Sequence, residues 1–163
     1  MKRIIQNGLL CIAIAVTTVP ALAQSNKLVG AWRLIAADKI LPDGTRTIDY
    51  GQDPHGIAIF TPTGNYVVEI FRNQRKKFAS DDRTKATPEE YKEAVLSSSC
   101  HFGTYALDTV KSTISFYIDR ASIPNLDQTL QVRSFTLKGD TLSWRVPARP
   151  DGTIPVSVFK RIR

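Results

Sequence analysis

The stretch LVGAWRL, residues 28–34, decides the fold, because it places a glycine two residues before a tryptophan in a strand-like apolar run. Glycine weakens a strand, and it is useful where the backbone must adopt a conformation that other residues resist. We expect Gly30 to bend the first strand sharply where one end of a β-barrel closes. Trp32 would plug that end, and a basic side chain of the last strand, Arg161 in FKRIR, would cover its indole ring.

The rest of the chain reads as short strands separated by turn signals, such as TPTGN at 61–65 and RPDGT at 149–153. Eight strands are predicted: 28–37, 56–61, 66–72, 100–107, 113–119, 129–137, 141–146 and 154–162. Many sequential strands with short connections favour a closed up-and-down barrel or a sandwich.

One segment changes period, TPEEYKEAVLSS at 87–98, and it predicts a short helix between the third and fourth strands. Thr87 is a plausible N-cap, Pro88 suits the first helical position, and Glu90 completes a capping box. The apolar side chains of this helix share one face: Tyr91, Ala94 and Val95.

The N-terminal sequence is typical of a targeting signal. Lys2 and Arg3 precede an apolar run at 9–16, and Ala21-Leu22-Ala23 is a typical cleavage signal. We therefore predict a signal peptide at 1–23, a single domain at 24–163, and a periplasmic or secreted product. Removal of Cys11 leaves Cys100 alone, and it is predicted to be a small buried hydrophobe, with an intermolecular disulfide as the alternative.

Alternating apolar residues indicate one interior. Three strands each place their apolar residues on one face: 114, 116 and 118; 142, 144 and 146; 154, 156 and 158. Glu69 interrupts the third strand, and Gln131 and Arg133 accompany Phe135 on the sixth. Such groups could orient a ligand inside a hollow barrel, or they could face water. A buried Arg133 would need either Glu69 or an anionic ligand group as its partner.

Motifs along the whole domain resemble the bacterial lipocalin-like domain family. They occur in the family's order: LVGAWRL (28–34), LPDG (41–44), PHGIAIFTPTGNY (54–66), FASDDR (78–83), TPEEY (87–91), FGTY (102–105), IPN (123–125), QVRSF (131–135) and GDTLSW (139–144). The resemblance implies a calycin-type β-barrel with a helix inserted after the third strand. It supplies no catalytic residues. The chain departs from the family pattern at Glu69, Phe116, Tyr117 and Leu126, and a different ligand is expected if those positions line the pocket.

Motifs for metal binding, nucleophilic catalysis and phosphate binding are missing from the sequence, so no metal site, cofactor or catalytic residue is predicted. His101 and Cys100 are adjacent on a strand, and they therefore point to opposite faces. The net charge of +7 is scattered, apart from a cluster at Arg72, Arg75, Lys76 and Lys77 that lacks interleaved aromatics. Nucleic-acid binding and an integral membrane span are not expected.

The sequence thus predicts an all-β protein, an eight-stranded antiparallel up-and-down lipocalin-like barrel with one short inserted helix. Its expected function is to bind a small hydrophobic or amphiphilic molecule, as a monomer or weak dimer, with loop 73–87 as a lid. The predicted ligand-binding residues are Glu69, His101, Tyr105, Phe116, Gln131, Arg133 and Trp144. Two alternatives stay open. One is a barrel isomerase or cyclase using His101, Tyr105, Glu69 and Arg133, and the other is an envelope interaction protein using the 72–77 cluster.

Overall fold

Antiparallel strands dominate the structure, a computed structural model that describes residues 27–163. The strands are β1 Gly30–Ile40, β2 Arg46–Ile48, β3 His55–Phe60, β4 Asn65–Phe71, β5 Ser98–Asp108, β6 Thr113–Ala121, β7 Leu130–Lys138, β8 Thr141–Arg145 and β9 Ile154–Arg161. Helix α1 spans Pro88–Leu96, and short 3-10 turns occupy Arg83–Lys85 and Pro124–Leu126. The predicted signal peptide at 1–23 lies outside the described residues.

Eight of these strands form a closed barrel. Each of β3 to β9 pairs with its neighbour in chain order, β1 pairs with β3, and β1 also pairs with β9 from Trp32↔Arg161 to Ile40↔Ile154. The predicted eight-stranded up-and-down barrel is confirmed, as is the helix that follows the third barrel strand. The sequence pattern does not indicate β2, whose three residues pair with the last three of β1 and are too few to show a period.

The closed end of the barrel is built as the opening motif predicts. Gly30 has a φ of +125°, and a Cβ there would lie 3.0 Å from Nη1 of Arg161. Trp32 is fully buried, and its indole N–H donates to the carbonyl oxygen of Leu28 at 2.8 Å. The guanidinium of Arg161 lies 4.0 Å from the centre of the Trp32 ring and donates to the carbonyl oxygen of Val29. The absence of a side chain at Gly30 therefore leaves room for the Arg161 guanidinium to lie over the Trp32 ring.

Aromatic rings fill the barrel above this floor. The ring centres of Tyr66 and Phe116 are 4.7 Å apart, those of Phe60 and Trp144 are 6.4 Å apart, and those of Trp144 and Phe159 are 4.4 Å apart. All five side chains are buried. The first two pairs meet edge to face, and such contacts add to the free energy gained by burial. The barrel is thus a packed core over its closed part.

The interior face of β9 differs from the prediction. Ser157 and Phe159 face inward, where their register partners are the buried residues Trp144 and Leu142, whereas Val158 pairs with Ser143 on the outer face. The inward-facing residues of β9 are therefore 157 and 159 rather than the predicted 154, 156 and 158, although Val156 is also buried. A polar residue occupies the inward position and an apolar one the outward position, so alternation alone selects the wrong face.

Helix α1 begins as predicted, because Thr87 accepts a hydrogen bond from the backbone of Glu90 and the Glu90 side chain accepts one from the backbone of Thr87. The apolar face of the helix does not join the barrel core. None of its nine residues is buried, and Val95 and Leu96 are 44% and 55% exposed. Polar contacts hold the helix instead, including one between Arg72 and Glu93 at 3.3 Å.

Cys100 is half-buried on the outer face of β5, so the prediction of a buried core residue is wrong. It lies opposite Glu69 in the β4–β5 register. Burial, and secondly the Glu69 charge, raise the pKa of the Cys100 thiol. His101 points inward, so the two neighbours lie on opposite faces, as predicted.

Candidate functional site

A cavity of about 460 Å³ opens at the end of the barrel away from Trp32. Seven of its side chains come from strand positions inside the barrel: Ala37, Ile70, Ser99, His101, Gln131, Arg133 and Ser157. Its mouth is lined by the connection after β8, by the turn after β6 and by the segment after β2, at Val146–Pro150, Ile123, Leu126 and Tyr50. Cavities of this size suit a small organic ligand.

Arg133 is the charged group inside this cavity, and its side chain is 4% exposed. Its Nε and Nη2 donate to Oε1 of Gln131 at 3.2 and 2.7 Å. Its guanidinium carbon lies 4.6 Å from the centre of the Phe116 ring and 5.8 Å from that of Trp144. The alternation of β7 places Gln131 and Arg133 on the same face, so one strand supplies both the cation and the amide that orients it.

His101 extends the network on the neighbouring wall. Nη2 of Arg133 lies 3.0 Å from Nε2 of His101, and Nδ1 of His101 lies 2.9 Å from the hydroxyl of Tyr66. Because a guanidinium can only donate, Nε2 must accept, which assigns the proton of the neutral imidazole to Nδ1. Nδ1 then donates to the oxygen of Tyr66. The network therefore supports Arg133 without neutralising it.

The positive charge of Arg133 has no carboxylate partner among residues 27–163, where every ion pair involves other side chains. Burial lowers the pKa of Arg133 to about 10, so the side chain is still charged near neutral pH. Burial raises the pKa of Tyr66 to about 12, which keeps that phenol neutral. Within the same residues the hydrogen bonds of the guanidinium leave from Nε and Nη2, and Nη1 has no partner. A buried, uncompensated cation of this kind is costly, and an anion in the cavity would relieve the cost.

Acid should weaken the fold through His101. Burial, and secondly the charge of Arg133, lower the pKa of His101 from 6.5 to about 3. Between about pH 3 and pH 6.5, His101 is therefore protonated in the unfolded chain and neutral in the folded chain. The contribution to stability is complete above pH 6.5 and is lost as the pH falls, by about 1.4 kcal/mol per pH unit.

Urea denaturation at about pH 7 and about pH 5 measures this effect, and the wild type should lose about 2 kcal/mol of unfolding free energy between them through His101. In His101→Gln that part of the loss should disappear. His55→Gln, on the exposed end of β3, is the matched control and should keep it. Equal losses in all three proteins would contradict a buried neutral His101.

The structure brings some predicted ligand-binding residues together and separates others. His101, Gln131 and Arg133 line the cavity. Phe116 and Trp144 lie beneath it, in contact with the Arg133 guanidinium. Tyr105 belongs to the aromatic core, and its hydroxyl donates to the carbonyl oxygen of Thr61 at 3.0 Å. Binding itself stays a prediction for all of these side chains.

Glu69 does not face the cavity, and it is not the partner of Arg133. Its neighbours Val68 and Ile70 are the buried residues of β4, so Glu69 points to the outer face, opposite Cys100. The period of two on a strand fixes this placement, and the expected Glu69–Arg133 pair is therefore wrong. Of the positions that depart from the family pattern, Leu126 lines the cavity and Phe116 supports Arg133, whereas Tyr117 is exposed.

The mouth of the cavity was not predicted from the sequence. Loop 73–87, predicted as a lid, contributes no residue to the lining, whereas the Pro-rich connection at 146–150 contributes all five of its residues. Ser157, which also lines the cavity, was missed because the inward face of β9 was assigned to its neighbours. The inward polar residues of β5, β7 and β9 line the same cavity, and this shared polarity could have identified Ser157 from the sequence.

Residues 27–163 contain no cluster of three or more side chains suited to hold a metal ion. In the same part of the chain, every helix is too short or too polar to cross a membrane.

Comparisons with known proteins find a matching family model and several similar solved structures. Residues 29–162 match the family model described as a lipocalin-like domain. Similar solved structures include a lipocalin-like protein from Bacteroides uniformis, with 16% identity, coverage of 83% of this chain and 98% of that one, and a TM-score of 0.41. An uncharacterized protein from Bacteroides eggerthii has 13% identity, coverage of 83% and 99%, and a TM-score of 0.40. A redesigned β-barrel has 16% identity, coverage of 83% and 92%, and a TM-score of 0.41. No curated protein matches the chain.

Proposed function

We propose that this chain, which belongs to the lipocalin-like domain family, binds a small, partly apolar anion in the cavity at the open end of its barrel. The observation that carries the proposal is Arg133, a buried cation that lines the cavity and has no carboxylate partner among residues 27–163. A ligand carboxylate would take the place of that partner. Charge-assisted hydrogen bonds to guanidinium are strong and directional, so the anionic end of the ligand is oriented toward β7.

The rest of the cavity suits an apolar body. Side chains that cannot hydrogen-bond form much of the wall around Arg133, with Ile70, Ile123, Leu126 and Val146 among them. The charged residues at the mouth are paired with each other, since Asp49 contacts Arg149 at 2.7 Å and Lys39 at 3.5 Å. Arg133 is therefore the one uncompensated charge that a ligand meets among the described lining residues.

The isomerase or cyclase alternative gains no support from the geometry. Glu69 faces outward and Tyr105 lies in the aromatic core, so only His101 and Arg133 of its four residues meet in the cavity. With a pKa of about 3, His101 is a weak base near neutral pH. For the envelope interaction alternative, the structure pairs Arg72 of the basic cluster with Glu93, and Arg75 donates to the neutral Ser97.

Export is part of the proposal, and it depends on the predicted signal peptide at 1–23. A binding protein with a cleaved signal would meet its ligand outside the cytoplasm, in the periplasm or after secretion. The small-molecule role does not require a partner protein.

A displacement assay tests the preference for an anion. Anilinonaphthalene sulfonate, an amphiphilic anion that fluoresces in apolar sites, is bound first and then displaced by octanoate or by its methyl ester. Both competitors have the same chain, but only octanoate carries a charge. We expect octanoate to displace the probe at a concentration lower by about tenfold to hundredfold, the usual range for a hydrogen bond to a charged group.

Equal displacement by the acid and the ester would show an apolar cavity without anion recognition, and the proposal would fail. Failure of both to displace a bound probe would also count against it. Native mass spectrometry of protein purified from its own host supplies the identity of the ligand, and a neutral molecule there would contradict the proposed charge.

A further inference from the structure

A groove of about 390 Å³ adjoins the cavity on the outside of the barrel mouth. The cavity and the groove share five lining residues, namely Asp49, Tyr50, Ser99, Ile123 and Arg149. The groove then continues to the C-terminal end of α1, where Val95 and Leu96 line it. The two spaces are therefore adjacent, and the shared side chains lie between the barrel interior and the end of the helix.

Helix α1 offers apolar side chains that nothing in residues 27–163 buries. Val95 and Leu96 are 44% and 55% exposed, although they stand beside the barrel mouth. Tyr91 is different, because its ring packs against Phe78 with centres 5.6 Å apart. None of the residues of the helix is buried. Its last turn is therefore an apolar surface available to something else.

The two arginines that line the groove are both paired with carboxylates. Arg72 is paired with Glu93 at 3.3 Å, and Arg149 is paired with Asp49 at 2.7 Å. Neither arginine is an uncompensated cation, in contrast to Arg133 inside the cavity. The aliphatic stems of such arginines can also cover an apolar chain. The anionic end of a ligand therefore belongs at Arg133, and the groove suits its other end.

We infer that the ligand is an amphiphile longer than the cavity, with its anionic head at Arg133 and its apolar tail passing Tyr50 and Ile123 to lie on Val95 and Leu96 of α1. This inference rests on the proposed function, because it takes the head at Arg133 as given. It adds a second subsite outside the barrel and a substrate class, long unbranched carboxylates rather than compact ones.

A chain-length series tests the subsite. Straight-chain carboxylates from hexanoate to hexadecanoate, each kept below its micelle concentration, are titrated by calorimetry into the wild type, Leu96→Gln and Val110→Gln. Glutamine keeps the length of the side chain and is a good helix former. Val110 is the control, since it is 94% exposed and lines neither the cavity nor the groove.

In the wild type the affinity should rise by about fourfold for each methylene that leaves water, and it should keep rising for chains that extend past the cavity. Leu96→Gln should bind hexanoate as the wild type does and hexadecanoate about threefold to tenfold more weakly, the range expected when part of one apolar side chain is lost from the contact. Val110→Gln should match the wild type throughout.

Other outcomes separate the two proposals. If short carboxylates bind but the affinity stops rising at the cavity length, or Leu96→Gln weakens all chain lengths equally, the outer subsite is wrong and the anion site stands. If no carboxylate of any length binds, the proposed function itself fails. Melting temperatures of the three proteins verify that each one is folded.

Discussion

The Trp32→Ala variant is expected to lose about 3–5 kcal/mol of unfolding free energy, the usual cost of truncating a large buried aromatic side chain. Trp32 is fully buried at the closed end of the barrel, and its indole N–H bonds to the Leu28 carbonyl. Removal of the ring would leave a cavity and would also deprive the Arg161 guanidinium of the surface it covers. Urea denaturation followed by circular dichroism measures the loss.

Arg161→Met is the matched comparison for this end of the barrel. It removes the contact with the Trp32 ring and the donor to the Val29 carbonyl, but the tryptophan still fills the core. A cation–π contact contributes about 0.5–2 kcal/mol, so the loss should be clearly smaller than for Trp32→Ala. A Trp32→Ala protein that unfolds like the wild type would show that the ring is not a structural plug.

This closed end could be predicted from the sequence because its determinants are simple. Gly30 and Trp32 are two residues apart, so one short motif carries both the bend and the plug. Closure of an up-and-down barrel then requires the last strand to pair with the first, and that pairing brings Arg161 to Trp32. The capping box of α1 is also local, since Thr87 and Glu90 are three residues apart and each side chain accepts a hydrogen bond from the backbone of the other.

The errors arise where a face or a loop is decided by distant parts of the chain. The inward face of β9 follows from its pairing with β1 and β8, which places Ser157 opposite the buried residues Ala37 and Trp144. An assignment based on the alternation of β9 alone therefore selects Val158 instead of Ser157. The cavity mouth was missed for a related reason, since turn residues carry no periodicity that would indicate which loop covers an opening.

For the polar residues of β4 and β7, the sequence determines which way the side chains point but not which groups they contact. Gln131 and Arg133 share a face with Phe135, which is packed against the core, so their inward direction follows from period two. Glu69 lies between two buried residues of β4, and the same rule sends it outward. The partner of a buried arginine is a tertiary property, and here the protein supplies Gln131 and His101 rather than a carboxylate.

Arg133→Met should weaken octanoate binding by about tenfold to hundredfold, because it removes charge-assisted hydrogen bonds from a buried site. Methionine keeps an unbranched stem of similar reach, so the wall of the cavity is retained while the charge is lost. The buried cation has no counter-ion among residues 27–163, and an unpaired buried charge is itself unfavourable. We therefore expect its removal to change the unfolding free energy of the protein only slightly. This variant should therefore lose affinity for octanoate while its unfolding free energy stays close to that of the wild type.

The separation is measured by thermal melting with and without octanoate. At a ligand concentration of about a hundred times Kd, binding to the native state alone adds about 2.7 kcal/mol of stability to the wild type. Arg133→Met should melt near the wild type without ligand and should lose most of this gain. Arg145→Met is the control on the neighbouring strand β8, where the side chain is exposed, and it should keep the full gain.

Arg133→Lys tells whether the site recognises charge alone or the fork of the guanidinium. Lysine keeps a positive charge but cannot donate to Gln131, His101 and a carboxylate in one plane, so we expect it to recover only part of the octanoate affinity. Full affinity in Arg133→Lys would reduce the role of Arg133 to a point charge. Unchanged octanoate binding in Arg133→Met would show that the carboxylate binds elsewhere. The buried charge of Arg133 would then not explain which ligands this barrel binds.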